Sequence, residues 1–421
     1  MNTAGIHKEI QRRTEDLQGL LDALIAVPSP PGAESRALGF LKRLLEYMGL
    51  ATSWIYLRES QLQEHPAFVP SGARHGRNLL AVWGAPRAAP GRYRILFNGH
   101  VDVVPPGELG GWASPPYQAT VRDNRIYGNG AADMKGGIAC LLYVLSVLIE
   151  QGLYPTKPVA VELVVDEERL GNGTLACVLA GVSAEQAMFL EPSGAHRIVT
   201  GHRGAIRFEV TIKGQGSELS SRGESTATVS QLTEVFNAIQ QWRTERRAEA
   251  ARVLGESRAD RAPVYFGKIC GGHWFSSPLV DIHINGVLGV IPGESLASVK
   301  DAFCQHFSSW PALAPLIQSK QVIINLDGGF VEPSFTPLDS RFVTGFKSAV
   351  ADVLGAEPTI EHCENSGCDI RLRRLYDRDC ECVWYGPAGS RCHQSNESVS
   401  LEELVGVSRV LAEWLIRECI C

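Results

Sequence analysis

Five positions along the chain carry residues of metal-ligating or acid–base type where an apolar segment ends or a helix begins. In "FNGHVDVVPPG", His100 and Asp102 lie two apart at the close of an apolar run, so on a strand both side chains share a face. Such a pair binds metal or acts as a base with its orienting carboxylate, although a strand-end histidine can equally be structural. "RIYGNGAADMKGG" places Asp133 in a glycine-bearing turn before a helix, where capping is the plainer role. "VVDEERLGNG" ends on Asp166, Glu167 and Glu168, three carboxylates that repel one another unless the turn is solvated or a cation neutralises them. "FLEPSG" adds Glu191 and "YGPAGSRCHQSNES" adds His393, each an ordinary loop residue if taken singly. Taken together at one sheet edge, the five positions read as a two-metal site.

The elements that would present them alternate. Helical periodicity covers Ile6 to Ala26 and Glu34 to Met48, and "RNLLAVWG" and "RYRILFNGHVDVV" read as buried strands. A helix from Lys135 to Glu150 and the strand "PVAVELVVDEE" follow, the pattern of a largely parallel α/β sheet. Near Gly204 the pattern changes: "IRFEVTIKG" alternates with period two, and "TVSQLTEVFNAIQQWRTERRAE" is a long amphipathic helix. "VDIHINGVLGVI", the helix "SLASVKDAFCQHF" and "KQVIINLDG" come next. This block reads as a small antiparallel α+β domain inserted into the larger one. From about Glu332 two helices around the short strand "CECVWYG" return to the first architecture.

At 421 residues the chain exceeds the roughly 250–300 at which single cores stop growing, so two domains are expected. A net charge of −6 gives no footprint for nucleic acid or anionic membranes, leaving a small molecule as the expected partner. The longest apolar run, Ile138 to Ile149, is too short to span a bilayer. The polar start "MNTAGIHKEIQRRTEDLQGL" lacks an export signal, and eleven cysteines are an odd number, so reduced thiols in the cytoplasm are expected. Cys363, Cys368, Cys380, Cys382 and Cys392 crowd the last quarter, but their spacing matches no paired zinc-ligand pattern.

The order "VPSPPGAES", "GHVDVVPPG", "GNGAADMKGG", "DEERLGNG", "EPSG" and "YGPAGSRCHQSNESVSLEEL" resembles the di-zinc peptidase and deacylase family. That family includes aminoacylase, acetylornithine deacetylase, succinyl-diaminopimelate desuccinylase and glutamate carboxypeptidase. The resemblance implies a catalytic domain from residues 1–205 and 325–421, with a mainly parallel central sheet. Residues 206–324 would form an inserted lid and dimerisation domain of an antiparallel sheet and two helices, and the protein would be a homodimer. It implies that Asp133 bridges two divalent ions, with His100 and Glu191 completing one site and Glu168 and His393 the other. Glu167 would be the general base and Asp102 the carboxylate that orients His100. Zinc suits the mixed imidazole and carboxylate ligands, with cobalt or manganese able to replace it. The implied activity is hydrolysis of an N-acyl or peptide-like amide of a small molecule.

The inserted segment departs from the family. Aligning Gly214 with the glycine of the family's lid turn puts Glu218 where a histidine normally stabilises the oxyanion, and a carboxylate cannot donate that bond unless protonated. The family's asparagine and substrate-binding arginine also have no obvious counterpart after "KICGG". His273 can supply a donor, and His202, Arg203 or Arg207 can hold an anion, although all can equally be surface residues. Two alternatives to hydrolysis therefore stand: acyl transfer or amide formation at the same metals, and a catalytically silent ligand-binding homologue.

Overall fold

Strands and helices fold as two units in the computed structural model of the chain, which describes residues 3–70, 76–169, 171–214, 225–274, 279 and 281–420. The first unit comprises Met1–Thr200, Thr336–Glu361 and Cys368–Cys421; the second comprises Gly201–Phe335 and His362–Gly367.

Helices α1 (Thr3–Arg12) and α2 (Thr14–Ile25) stand where one helix is expected. Arg13 leaves helical angles between them, and its guanidinium donates to Asp16 and Glu150 at 2.6 and 2.5 Å. The buried Ile10 and Leu17 are seven residues apart, close to two helical turns, so the apolar pattern runs undisturbed through the break. Helix α3 (Ser35–Tyr47) and strands β1 (Ala51–Tyr56), β2 (Arg77–Trp83) and β3 (Arg92–His100) follow. Then come α4 (Lys135–Glu150), β4 (Val159–Val164), α5 (Asn172–Leu179), β5 (Ser183–Phe189) and β6 (Arg197–Val199).

The second unit contributes β7 (Gly204–Lys213), α6 (Ser225–Leu254), β8 (Val264–Gly271), β9 (Asp281–Val290), α7 (Leu296–Ser308) and β10 (Val322–Asn325). The chain returns to the first unit with α8 (Arg341–Leu354), β11 (Thr359–Glu361), α9 (Ile370–Tyr376), β12 (Glu381–Trp384) and α10 (Leu401–Leu415).

The larger sheet has the order β1-β2-β4-β3-β5-β12-β6-β11. Its centre, β4-β3-β5-β12, is parallel, as is the pair β6/β11; β1/β2, β2/β4 and β12/β6 are antiparallel. Parallel pairing carries the chemistry. Register sets His100 opposite Val164 and Asn98 opposite Phe189, so the residues following β3, β4 and β5 emerge at the same edge.

Helix α4 covers the sheet and contains the twelve-residue apolar run, almost wholly buried. Each such aliphatic side chain contributes roughly 1.5–3 kcal/mol on burial. The backbone of α4 at Gly137 lies so close to the Leu190 carbonyl that a Cβ would sit 2.0 Å from its oxygen, so only glycine fits beside the turn carrying Glu191. Helix α10 brings Trp414 to stack on Phe342 of α8, ring centroids 5.3 Å apart. Beneath the rim, Arg373 of α9 donates to Glu162 of β4 at 2.6 Å, both fully buried, and Asn98 of β3 donates to the same carboxylate at 3.2 Å. No helix among the described residues is long and apolar enough to cross a membrane.

In the second unit the antiparallel order is β8-β9-β7-β10. Alternation on β7 buries Ile206, Phe208, Val210 and Ile212 in a core with Val235, Ile239 and Trp242 of α6 and Val299, Phe303 and Phe307 of α7. Edge strand β8 is not foreshadowed by alternation: it is exposed along most of its length, with a bulge between Phe266 and Lys268. Helix α6 also runs further than its apolar pattern, held near its end by Arg246, which donates to both oxygens of Glu294 at 2.5 and 2.6 Å.

Candidate metal centre

Seven of the residues singled out in the sequence, His100, Asp102, Asp133, Glu167, Glu168, Glu191 and His393, gather at the carboxyl edge of the larger sheet, all within the first unit. His100 ends β3, buried to 1% exposure. Its Nδ1 lies 2.9 Å from the main-chain carbonyl of Asp102 and 3.7 Å from that residue's carboxylate. A carbonyl only accepts, so Nδ1 carries the hydrogen and Nε2 faces the centre. There Nε2 lies 3.0 Å from Asp133 Oδ1 and 3.7 Å from Glu191 Oε1. The orientation of His100 thus comes first from the Asp102 backbone. The Asp102 carboxylate instead accepts the Glu168 main-chain N–H at 3.1 Å, fixing the turn after β4.

Asp133 stands at the centre of the group. While Oδ1 meets His100, Oδ2 lies 3.2 Å from His393 Nε2, so the two imidazoles take opposite oxygens of one carboxylate. His393, half exposed and at a positive φ of 61°, also reaches Glu168 Oε2 at 3.0 Å. Ligand atoms of His100, Asp133 and Glu168 lie within 4.8 Å of one another, as do those of His100, Glu167 and Glu191.

The three carboxylates after β4 part company. Asp166, at φ 66°, turns inward, where its Oδ2 accepts from Asn172 Nδ2 at 2.8 Å and its carbonyl from the Gly171 N–H at 2.8 Å. Glu167 and Glu168 remain at the centre. Burial, and then the charge of Glu191, pushes Glu167 well above the usual carboxylate range. Burial likewise raises Glu191 and brings Asp102 up to about 7. Asp133 moves the other way: despite burial, hydrogen bonds from His100 and His393 hold it well below its ordinary value. His393 is pushed up to about 10 by its bonds to Asp133 and Glu168.

The donor set fits divalent cations. Two imidazoles and four carboxylates crowd together, His100 and Glu191 buried among them, and Glu168 Oε1 is buried with no hydrogen-bond partner among the described residues. Mutual repulsion of that kind is relieved by cations, and nitrogen–oxygen sets suit zinc, manganese or cobalt. Among the described residues no such cluster includes a cysteine, and the ten described cysteines are free thiols.

The remaining candidates belong to the second unit or lie outside the described residues. Arg203 is half-buried, its guanidinium lowered by burial. His202 is buried, with Nδ1 donating to the Arg203 carbonyl at 3.0 Å, whereas Arg207 and His273 are exposed. Glu218 lies outside the described residues.

Sequence reading missed Glu397, four residues after His393. Its buried carboxylate accepts the main-chain N–H groups of Gly130, Ala132 and Asp133 at 2.8, 2.8 and 2.9 Å. It also missed Asp369, a buried acid whose charge acts on Glu167. Neither closes an apolar run, the signal that exposed His100, Glu167, Glu168 and Glu191.

Residues 96–417 match the model of peptidase family M20/M25/M40. The chain is 27% identical over 409 residues to the succinyl-diaminopimelate desuccinylase of Gluconobacter oxydans, covering 92% of this chain and 93% of that protein. Among solved structures, it resembles an M20 family metallo-carboxypeptidase, Sso-CP2, from Sulfolobus solfataricus, with TM-score 0.66, 17% identity, and 95% and 98% of the two chains covered. It also resembles the YXEP protein of Bacillus subtilis, a dinuclear metal binding peptidase from the M20 family, with TM-score 0.59, 15% identity and 99% of both chains covered.

Proposed function

We propose, for a chain that belongs to peptidase family M20/M25/M40 and is thereby a metal-dependent hydrolase, that it cleaves an N-acyl or peptide-like amide of a small molecule at a two-metal centre. The observation that carries this reading is the pair of imidazoles on opposite oxygens of Asp133, at 3.0 and 3.2 Å. Asp133 would be shared by two divalent ions, zinc by preference, with His100 and Glu191 on one and Glu168 and His393 on the other. Bound there, the ions would supply Lewis acidity, polarising the amide carbonyl and easing deprotonation of water near neutral pH.

The protein's own groups do the rest. Glu167, half-buried and pushed upward by its surroundings, is suited to take a proton from the attacking water and hand it to the leaving nitrogen. Water is thereby added across the C–N bond, giving a carboxylate and an amine. The Asp102 carbonyl holds the His100 ring, and its carboxylate holds the turn carrying Glu167 and Glu168. The dinuclear centre of the Bacillus subtilis protein and the desuccinylase activity named for the Gluconobacter oxydans relative support the same chemistry here.

The second unit would be the lid and the dimer-forming part. Edge strand β8, with Tyr265 and Ile269 exposed, supports pairing with a second copy. Free cysteines accord with a reducing cytoplasm.

The test is amide hydrolysis by the purified chain on N-acetyl, N-succinyl and dipeptide substrates, before and after chelation and with zinc, cobalt or manganese restored. Metal-restored release of the amine is expected. Persistent absence of turnover on all three classes in the loaded protein would contradict the hydrolytic reading.

A further inference from the structure

We infer that Glu397 is a positioning residue that locks the loop bearing His393 to the turn bearing Asp133, and so sets the spacing on which the ion assigned to Glu168 and His393 depends. The inference rests on the two-metal reading. Glu397 is 2% exposed, and its carboxylate is filled by one segment of chain: Oε2 accepts from the Gly130 N–H, and Oε1 from the Ala132 and Asp133 N–H groups. Its main-chain carbonyl accepts a fourth, from Gly128, at 3.0 Å. Every donor lies in the six residues 128–133 that end on the shared carboxylate.

From the same loop, Arg391 Nε donates to the Ser395 carbonyl at 2.6 Å. The Asn396 amide accepts from the Ala113 N–H at 2.8 Å and donates to the Gly111 carbonyl at 2.9 Å. The loop is thus closed on itself across His393 and tied after it to Gly111 and Ala113, while the Glu397 side chain holds it to the main chain of the Asp133 turn. Only a carboxylate meets this need: its oxygens accept without donating, and they satisfy three converging donors. A glutamine at 397 would turn its amide hydrogens toward at least one main-chain N–H, forcing that part of the turn away. His393 Nε2 and Asp133 Oδ2, now 3.2 Å apart, would lose their fixed separation.

The test titrates metal-free wild type, Glu397→Gln and Glu397→Asp with zinc against a chromophoric chelator, and records the visible spectrum of the cobalt-loaded forms. Replacing a residue that supports a ligand typically weakens metal affinity about 10- to 100-fold. Glu397→Gln is therefore expected to raise the Kd of at least one of the two ions by that factor and to change the cobalt spectrum, while the far-UV circular dichroism stays that of the wild type. A variant that melts earlier yet binds both ions within about twofold of wild type would overturn the inference and leave Glu397 a purely structural residue. Should Glu397→Gln fail to fold, Glu397→Asp decides by the same criterion, because it keeps the charge but is one methylene too short to reach every donor. Wild type that takes up no zinc would instead refute the two-metal reading itself.

Discussion

At the rim of the larger sheet, seven titratable groups from five separate loop ends come within hydrogen-bonding or ligating reach of one another. On the second unit none of the candidates belongs to such a cluster among the described residues: Arg203 is half-buried beside β7, and Arg207 and His273 are exposed. The contrast separates two kinds of requirement. A metal centre needs several donors at fixed distances, so the scaffold fixes them with buried carbonyls, carboxylates and close-packed glycines. Groups that recognise a substrate need only the right chemistry at the right moment, and so can change while the centre stays the same.

The comparison is broken most directly at Glu167. Glu167→Gln keeps shape but cannot take a proton, so turnover is expected to fall about 100- to 10,000-fold with metal content unchanged. Steady-state kinetics with elemental analysis check both halves, and retained turnover would remove Glu167 as the base.

The rim also depends on what lies beneath it. Arg373→Leu strands Glu162 in the interior, and loss of one partner of a buried pair costs about 3–5 kcal/mol. Urea unfolding should register that loss, and the double variant Glu162→Leu with Arg373→Leu should recover part of it. A neutral single variant would mean that the pair contributes no net stabilisation.

Protons sharpen the contrast next. In the metal-free chain His393 is raised to about 10, above its ordinary 6.5, so the stability it confers is complete below about pH 6.5 and is lost as pH rises through about 10. Metal needs the neutral ring, so affinity should rise over that interval and loading near pH 7 should release protons. Calorimetry in buffers of different ionisation enthalpy measures the release; none would indicate that His393 is not displaced from its protonated form.

The smallest effect is expected in the second unit. His273→Ala should change kcat/KM for simple N-acyl amino acids by no more than about threefold if it is only an exposed residue, as most surface substitutions are nearly neutral. A loss nearer a hundredfold would make it the donor that replaces the family's lid histidine. Glu218→His assayed beside it asks whether restoring that histidine raises the same rate.

Much of the first unit was legible because chemistry and hydrophobicity coincide there. His100, Asp133, Glu167, Glu168, Glu191 and His393 each follow an apolar strand or border a helix or turn, and parallel pairing carries them to one edge. The break at Arg13 was not legible, since seven-residue spacing keeps the apolar stripe in phase across it. Strand β8 was hidden because its exposed residues carry no alternation, and Glu397 because its partners are main-chain N–H groups, which leave no mark on residue type.

The central claim is that Asp133 is shared between two ions. Elemental analysis of reconstituted wild type and Asp133→Ala, both folded by circular dichroism, tests it directly. The account predicts about two divalent ions per chain in wild type and fewer than about one in the variant, because both sites lose a ligand together. No metal in the wild type, or both ions retained by Asp133→Ala, would contradict it.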